Sequence, residues 1–194
     1  MHVAHIEIPV KIKDKYLLDR IIYIPTGKSP TNRQFIASHL DRITMLQNAT
    51  KEYEFLTVSD YEISSNDVSF SINTINHFKQ KYGNSLIRLI MGEDNFVNFP
   101  KWHSYRDILS ISNIIVLSRD NLCKYDKIGT LNSFIEEDIN LFNKTKSEKI
   151  HFSYSFKSNL SATILRDSIH QNKSIKDYVS QENYEYIQKN GLYK

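Results

Sequence analysis

The sequence is short of cysteine, glycine, proline and tryptophan, and these shortages exclude whole classes of protein. Its 194 residues include one cysteine, Cys123, which excludes an internal disulfide and a thiolate metal cluster. Four prolines and five glycines leave no stretch typical of a linker. No apolar run approaches the roughly 18 residues that a membrane span needs. The composition therefore favours one globular domain, residues 1–194, in a reducing cytoplasm.

An excess of charge of one sign is also lacking. The formal net charge is +3, and 24% of the residues are charged. This balance suits phosphate-bearing substrates but is far too small to indicate nucleic-acid binding. The first residues carry no charged-then-apolar signal segment, so we expect neither export nor a membrane partner. The oligomeric state is not readable from the sequence.

Apolar runs of strand length alternate along the chain with amphipathic runs of helix length. Strands are expected at residues 20–24, 53–58, 86–91, 114–117 and 150–154. Helices are expected at residues 37–50 and 69–82, around residues 134–142, from Ser161 and near Gln181. This alternation predicts an α/β fold with a parallel sheet. Ligands of such sheets bind beyond the carboxyl ends of the strands, so residues that follow strands deserve the closest inspection.

The first candidate site is the pair His2 and His5. Histidines three residues apart share one face of a helix. Near a helix N-terminus, two imidazoles can donate hydrogen bonds to phosphate oxygens. On spacing alone, an exposed terminal pair without function explains the pattern better. A zinc site has even less support, because no third ligand is nearby in the sequence.

The second candidate site lies at the start of a predicted helix after the last strand. Ser161 is a suitable N-cap, and its hydroxyl and that of Thr163 could line an anion site with free backbone N–H groups. Arg166, further along the helix, could reach the same anion. The alternative is an ordinary capped helix with a solvated arginine.

The third candidate site follows the predicted strand at residues 86–91. Gly92 would permit a tight turn there, and Asp94 could accept hydrogen bonds from ribose hydroxyls. Trp102, the single tryptophan, could stack on an aromatic ligand ring. The alternative is a capping aspartate and a core tryptophan.

Taken together and in this order, the motifs resemble those of the bacterial nicotinate-nucleotide adenylyltransferases, which belong to the nucleotidyltransferase superfamily. The matching segments are His2-Val3-Ala4-His5, the loop 25–30, the helix 40–49, Met91-Gly92-Glu93-Asp94 through Trp102, residues 160–166 and residues 186–193. Each motif is weak alone, but six in order are specific, and they cover nearly the whole chain.

The resemblance implies a fold, a reaction and a set of roles. The fold would be a doubly wound parallel sheet of the Rossmann-like nucleotidyltransferase type. The reaction would join ATP to nicotinate mononucleotide, with Mg²⁺ carried on the phosphates of ATP. His2, His5 and Arg166 would be catalytic, and Ser161, Thr163 and Arg166 would bind the β- and γ-phosphates. The mononucleotide would be bound by Ser71, Gly92, Asp94, Trp102 and His103, the backbone N–H groups of Ser71 and His103 facing its carboxylate.

The sequence departs from the family pattern at three places. The family opens with a strand and a Gly-x-Phe-x-Pro loop before the first histidine, whereas Met1 precedes His2 directly. We therefore expect the true start about 10–15 residues upstream, enough for a strand and a tight loop. The family's Pro-Pro-His-Lys reads as residues 29–32 here and lacks its lysine, although Arg33 is adjacent. The family's Ser-Tyr-Thr turn reads as residues 69–71.

Two other functions remain open. A related adenylyltransferase could use nicotinamide mononucleotide or phosphopantetheine as the acceptor. The Trp102 segment favours a pyridine ring, but acid and amide are not distinguished. A degenerate relative without catalytic activity is the second alternative, because the Gly-rich loop is missing.

Overall fold

The computed structural model describes residues 3–32, 34–118, 129–154, 162–171 and 173–193, apart from the side chains of Ala162 and Thr163. The chain divides into two compact units. Unit 1 combines Met1–Ser69 with Asn159–Lys194, and unit 2 is Phe70–Ser158. Among the described residues, no helix has the length and apolar character needed to cross a membrane.

Strands and helices alternate along both units, which confirms the predicted α/β class. In chain order the elements are α1 (Ala4–Lys15), β1 (Ile21–Tyr23), α2 (His39–Thr50), β2 (Leu56–Val58), α3 (Tyr61–Ser64), α4 (Ser71–Tyr82), β3 (Arg88–Gly92), α5 (Glu93–Val97), α6 (Tyr105–Ile111), β4 (Asn113–Leu117), α7 (Ile139–Lys144), β5 (Ile150–Ser153), α8 (Ala162–His170) and α9 (Gln181–Lys189). Short 3-10 helices cover Phe99–Lys101, Gly129–Phe134 and Lys176–Tyr178.

Unit 1 contains a two-stranded parallel sheet. Ile21 of β1 lies opposite Leu56 of β2, and the register continues to the end of both strands. Beyond the strands, Lys28 and Val68 form an isolated parallel bridge. The chain segments that leave the carboxyl ends of β1 and β2 therefore stay side by side.

The core of unit 1 joins α2 to the two C-terminal helices. The cluster of that core at this junction contains Ala37, Met45, Leu165, Ile175, Val179 and Ile187. Asn183, fully buried on α9, donates from its side-chain amide to the carbonyl of Met45 at 2.9 Å. Leu40, which periodicity places on the apolar face of α2, is 71% exposed. Met45, at 3%, supplies the buried contact instead.

Asp41 ties the start of α2 to α9. Its carboxylate accepts hydrogen bonds from the Ser38 hydroxyl at 2.6 Å, the Ser38 backbone N–H at 3.0 Å and the Tyr186 hydroxyl at 2.8 Å. The Ser38 hydroxyl in turn accepts from the Asp41 N–H, which completes a capping box. The hydrogen bonds from Ser38 and Tyr186 hold the pKa of Asp41 below its ordinary value.

We expect Asp41→Asn to lower the free energy of unfolding near neutral pH by about 1 kcal/mol, as loss of a helix cap does. A depressed folded-state pKa stabilises the fold above the unfolded-state pKa, and that stabilisation is lost as the pH falls through the folded-state value. Denaturant unfolding of both proteins from about pH 7 to about pH 3 should therefore show the difference shrinking in acid. A difference that stays constant across this range would contradict the assignment.

Unit 2 contains a three-stranded parallel sheet in the order β3-β4-β5. Gly92, Leu117 and Ser153 lie in register at its carboxyl end. All four residues of β5 and the first four of β4 are buried, as expected for parallel strands covered on both faces. The core of this unit is built from Ile72, Ile75, Met91, Phe96, Phe99, Ile108, Leu109, Ile114, Val116, Leu131, Ile150 and Phe152.

The arrangement differs from the expectations in two respects. The five described strands form two parallel sheets, one in each unit, rather than one sheet. The helix expected around residues 134–142 is replaced by a 3-10 helix that ends at Phe134 and by α7. Asp138 explains where α7 begins, because its carboxylate accepts the N–H of Asn140 at 2.7 Å.

Candidate active site

His5 lies in the first turn of α1 and is exposed. The helix dipole favours anions at this end of α1. His5 is therefore placed where an imidazole and backbone donors can meet a phosphate. Its predicted companion, His2, lies outside the described residues.

The position of His5 is reinforced from β1. Pro9 stands inside α1 and has no N–H, so it cannot donate to the His5 carbonyl four residues earlier. The hydroxyl of Tyr23 donates to that carbonyl instead. A tyrosine on the neighbouring strand thus replaces the missing helical hydrogen bond at the residue predicted to be catalytic.

We expect Tyr23→Phe to lower the free energy of unfolding by about 1 kcal/mol, the usual net value of one hydrogen bond. Turnover should fall as well, because the first turn of α1 loses its tie to β1. Thermal unfolding and steady-state rates measure the two effects. Tyr53→Phe is the matched control, since no described residue accepts a hydrogen bond from the Tyr53 hydroxyl. Equal behaviour of the two variants would contradict a positioning role for Tyr23.

The second predicted motif coincides with the beginning of α8. Ser161 lies outside the described residues, and Thr163 is described only in its helical backbone. Arg166 is half-buried on α8, next to Leu165, which is 7% exposed and belongs to the core of unit 1. The packing of Leu165 therefore fixes the helix that carries the arginine.

Arg166 has a second arginine as an electrostatic neighbour. Burial raises the pKa of the Tyr193 hydroxyl, and the charges of Arg166 and Arg42 oppose that shift. Both guanidinium groups thus lie within electrostatic reach of one hydroxyl. Arg42 lies on α2, in the segment 40–49 that resembles the family, and has no predicted role in the site.

The loop after β1 is held by a close backbone approach at Gly27. A Cβ atom at this position would lie 1.9 Å from the Glu62 carbonyl oxygen, so only glycine fits. The Gly27 N–H donates to the Ser69 hydroxyl at 3.1 Å, and the Ser69 N–H donates to the Lys28 carbonyl at 2.9 Å. The loop is thereby fixed against residues 62–69, within unit 1.

In unit 2, Ser71 and His103 are brought near each other. Ser71 is the first residue of α4, so its N–H has no acceptor inside the helix. The imidazole of His103 lies against the Phe70 ring, with 4.4 Å between the ring centroids. Among the described residues, neither backbone N–H has an acceptor. Both donors are therefore free for a carboxylate, as the resemblance implies.

Trp102 is half-buried between the 3-10 helix Phe99–Lys101 and α6. Its ring meets the Phe99 ring edge-on, at a centroid distance of 5.6 Å and an angle of 67°. Trp102 packs against the core of unit 2 without being enclosed by it. Trp102 is therefore partly a core residue, as the alternative interpretation expected. An accessible portion of its side chain remains for a ligand ring.

The segment after β3 carries two carboxylates, of which Asp94 is exposed and Glu93 is hydrogen-bonded. Asp94 is exposed in the first turn of α5, as ribose binding would require. The carboxylate of Glu93 accepts a hydrogen bond from the buried Ser118 hydroxyl at 2.7 Å, which joins the ends of β3 and β4. Gly92 has φ −75°, and an added Cβ would meet no atom within 4 Å. The backbone therefore does not require glycine there, contrary to the expected reason for this residue.

Metal-binding side chains are not grouped in this site. The described ranges contain no cluster of three or more His, Cys, Asp or Glu residues that could hold a metal ion.

Comparison with known proteins identifies the family. The family model described as cytidylyltransferase-like matches residues 1–168. The chain belongs to this cytidylyltransferase-like family. The chain is also similar to proteins named nicotinate-nucleotide adenylyltransferase, which confirms the resemblance inferred from the motifs. A probable nicotinate-nucleotide adenylyltransferase of Aquifex aeolicus is 34% identical over 122 residues, covering 63% of this chain and 73% of that protein.

A second relative is similar over the full chain. The probable nicotinate-nucleotide adenylyltransferase of Clostridium beijerinckii is 30% identical over 199 residues, which covers 100% of this chain and 94% of its own. A solved structure, the Plasmodium falciparum nicotinic acid mononucleotide adenylyltransferase complexed with NaAD, matches with a TM-score of 0.72 at 16% identity. It is matched over 100% of this chain and 91% of that chain, which confirms the Rossmann-like fold.

Proposed function

We propose that this chain transfers the adenylyl group of ATP to nicotinate mononucleotide, giving nicotinate adenine dinucleotide and pyrophosphate, as a step of NAD biosynthesis. The observation that carries the proposal is the similarity along the whole chain to proteins named nicotinate-nucleotide adenylyltransferase. The complex of the Plasmodium falciparum protein with NaAD supports the same reaction.

The reaction is a displacement at the α-phosphorus of ATP. An oxygen of the mononucleotide phosphate forms the new P–O bond. The bond to the β-phosphate breaks, and pyrophosphate leaves with its electron pair. The attacking oxygen is already ionised at neutral pH, so neither a protein base nor a covalent enzyme intermediate is needed. Catalysis then depends on alignment and on stabilising the charge around the α-phosphate.

The residues of unit 1 would bind ATP. His5, helped by His2, would stabilise the charge that develops on the α-phosphate, and the place of His5 in the first turn of α1 supports this role. Arg166, with Ser161 and Thr163, would hold the β- and γ-phosphates as they depart. The support for Arg166 is its fixed, half-buried position beside Leu165 on α8.

Nucleotidyltransferases use a divalent metal with ATP, and we propose that the metal here is Mg²⁺. The guanidinium group assigned to ATP carries only N–H donors, which suit phosphate oxygens and not a metal. Mg²⁺ usually keeps several waters and binds through substrate phosphates. When bound, it would neutralise part of the phosphate charge.

The residues of unit 2 would bind the mononucleotide. Trp102 would stack on the pyridine ring, and the backbone N–H groups of Ser71 and His103 would donate to its carboxylate. Asp94 would accept from ribose hydroxyls. The open space beside Gly92, where an added Cβ meets nothing within 4 Å, leaves room for the sugar.

Both units would serve this one reaction, as a single nucleotidyltransferase domain in the cytoplasm. The similarity of the full chain to a nicotinate-nucleotide adenylyltransferase supports treating residues 1–194 as one functional domain. The single cysteine suits a reducing compartment.

The test is an assay of the purified protein with ATP and Mg²⁺ against three acceptors in parallel: nicotinate mononucleotide, nicotinamide mononucleotide and phosphopantetheine. Pyrophosphate release and the dinucleotide product are both measured. We expect the highest kcat/KM with nicotinate mononucleotide. Preference for either other acceptor would reassign the substrate, and no product with any acceptor would favour a protein without catalytic activity.

A further inference from the structure

The guanidinium group of Arg42 is held firmly on one side. Its Nη1 donates to the Thr26 carbonyl at 2.7 Å, and its Cζ lies 4.0 Å from the centroid of the Phe35 ring. Thr26 belongs to the loop that Gly27 fixes against residues 62–69. The orientation of the planar group is therefore set by protein contacts before any ligand arrives.

The other side of the same group has no partner. The Nε and Nη2 atoms of Arg42 are buried, and they have no hydrogen-bond acceptor among the residues that the structure describes. A guanidinium carries five N–H donors, three of them on these two atoms. A buried donor without an acceptor costs free energy, so native structures rarely leave one unless it serves a purpose.

Arg88 shows how the chain satisfies an arginine in a comparable setting. Its Cζ lies 5.1 Å from the centroid of the Phe142 ring, and burial lowers its pKa as it lowers that of Arg42. There, Nη1 donates to the Thr145 carbonyl at 3.1 Å, and Nη2 donates to the Phe142 and Asn143 carbonyls at 3.4 and 3.0 Å. Among the described residues, the Nε and Nη2 atoms of Arg42 have no such set of carbonyls.

The neighbouring carboxylate does not satisfy the unpaired side of Arg42. Asp41, the adjacent carboxylate, is already occupied by hydrogen bonds from Ser38 and Tyr186. The charges of Arg166 and Arg42 both act on the Tyr193 hydroxyl, so two positive charges lie in this part of unit 1. Adjacent Nε and Nη2 atoms form the pair of parallel donors that binds a phosphate through two oxygens.

We propose that the Nε and Nη2 atoms of Arg42 bind a phosphate group of one of the two substrates. This inference rests on the proposed function for the identity of the ligands. The source is either the triphosphate of ATP or the phosphate of the mononucleotide, and the proximity of Arg166 favours ATP. Arg42 thereby adds a binding residue to those inferred from the motifs.

Calorimetric titration tests this proposal without requiring turnover. The wild-type protein and Arg42→Gln are titrated separately with ATP, with inorganic pyrophosphate and with nicotinate mononucleotide. We expect roughly ten-fold weaker binding by the variant, the usual loss for hydrogen bonds to a charged group. Loss confined to ATP and pyrophosphate identifies the triphosphate, and loss confined to the mononucleotide identifies the other source. Unchanged affinity for all three overturns the proposal.

Two further variants separate binding from folding. Arg88→Gln should lower the melting temperature without changing phosphate affinity. Arg42→Gln should cost less stability, because its Nε and Nη2 atoms make no hydrogen bond to any described residue. Arg42→Lys, which keeps the charge but not the paired donors, should recover only part of the affinity. Full recovery by lysine would overturn the paired contact. Phosphate binding without product formation would refute the proposed reaction and leave the assignment of Arg42 intact.

Discussion

Replacing Arg166 with alanine is expected to lower kcat by roughly 10² to 10³, the effect of removing one donor that stabilises transition-state charge. The proposed chemistry gives the protein no base or nucleophile to supply, so charge stabilisation on the phosphates accounts for most of the rate. In the proposed role, Arg166 would offer a forked, permanently charged donor to the departing pyrophosphate. The loss should therefore appear in kcat as well as in kcat/KM for ATP.

The fold should survive this change. The neighbouring Leu165, at 7% exposed, anchors α8 in the core of unit 1, and alanine is the best helix former. Initial rates of pyrophosphate release and a melting curve measure the two properties side by side. Arg106→Ala is the matched control, since it removes an exposed arginine of α6 that has no assigned role. Wild-type kcat in Arg166→Ala would show that the phosphate assignment is wrong.

Much of the fold could be predicted because its elements follow simple periodicities. The residues Ile72, Ile75 and Phe78, spaced for one helix face, are all buried on α4. The apolar run of β4 is buried from Ile114 to Val116, as expected for a strand covered on both faces. Here local pattern and tertiary environment agree, and the prediction succeeds for that reason.

Other features depend on contacts that periodicity does not contain. Pro9 argues against a helix at its position, yet α1 runs through it, with the Tyr23 hydroxyl bonded to the carbonyl that the proline leaves without a donor. Leu40 has the spacing of a core residue but is 71% exposed, because the core of unit 1 lies toward Met45. Both outcomes depend on partners far away in sequence.

The candidate site divides in the same way. Asp94, Trp102 and Arg166 could be proposed from the sequence, since they belong to motifs that follow strands. Arg42 could not be proposed in this way, because its distinguishing property is that two buried guanidinium atoms lack hydrogen-bond acceptors among the described residues. The Thr26 carbonyl and the Phe35 ring contact one side of the guanidinium group. No described residue accepts a hydrogen bond from its Nε and Nη2 atoms. The helical sequence pattern around an arginine does not indicate which of its guanidinium atoms will lack an acceptor in the folded protein.

Replacing Trp102 with alanine is expected to raise KM for nicotinate mononucleotide by roughly 10- to 100-fold, as loss of one aromatic stacking partner does, with KM for ATP little changed. The accessible part of the half-buried indole would stack on the pyridine ring, while its contact with Phe99 holds it in place. The residues assigned to ATP lie in unit 1, so KM for ATP should not be affected by this substitution in unit 2. Kinetics with each substrate varied in turn measure both values.

A structural role for Trp102 alone would give a different pattern. Tyr105→Ala is the matched control, because Tyr105 also meets Phe99 edge-on, at a centroid distance of 5.7 Å, but has no assigned ligand. Both alanine variants should lose stability through packing, and only Trp102→Ala should lose affinity for the mononucleotide. Trp102→Phe, which keeps an aromatic face, should restore part of that affinity. Equal increases in KM for both substrates, or the same kinetic change in Tyr105→Ala, would mean that Trp102 supports the core of unit 2 rather than the pyridine ring.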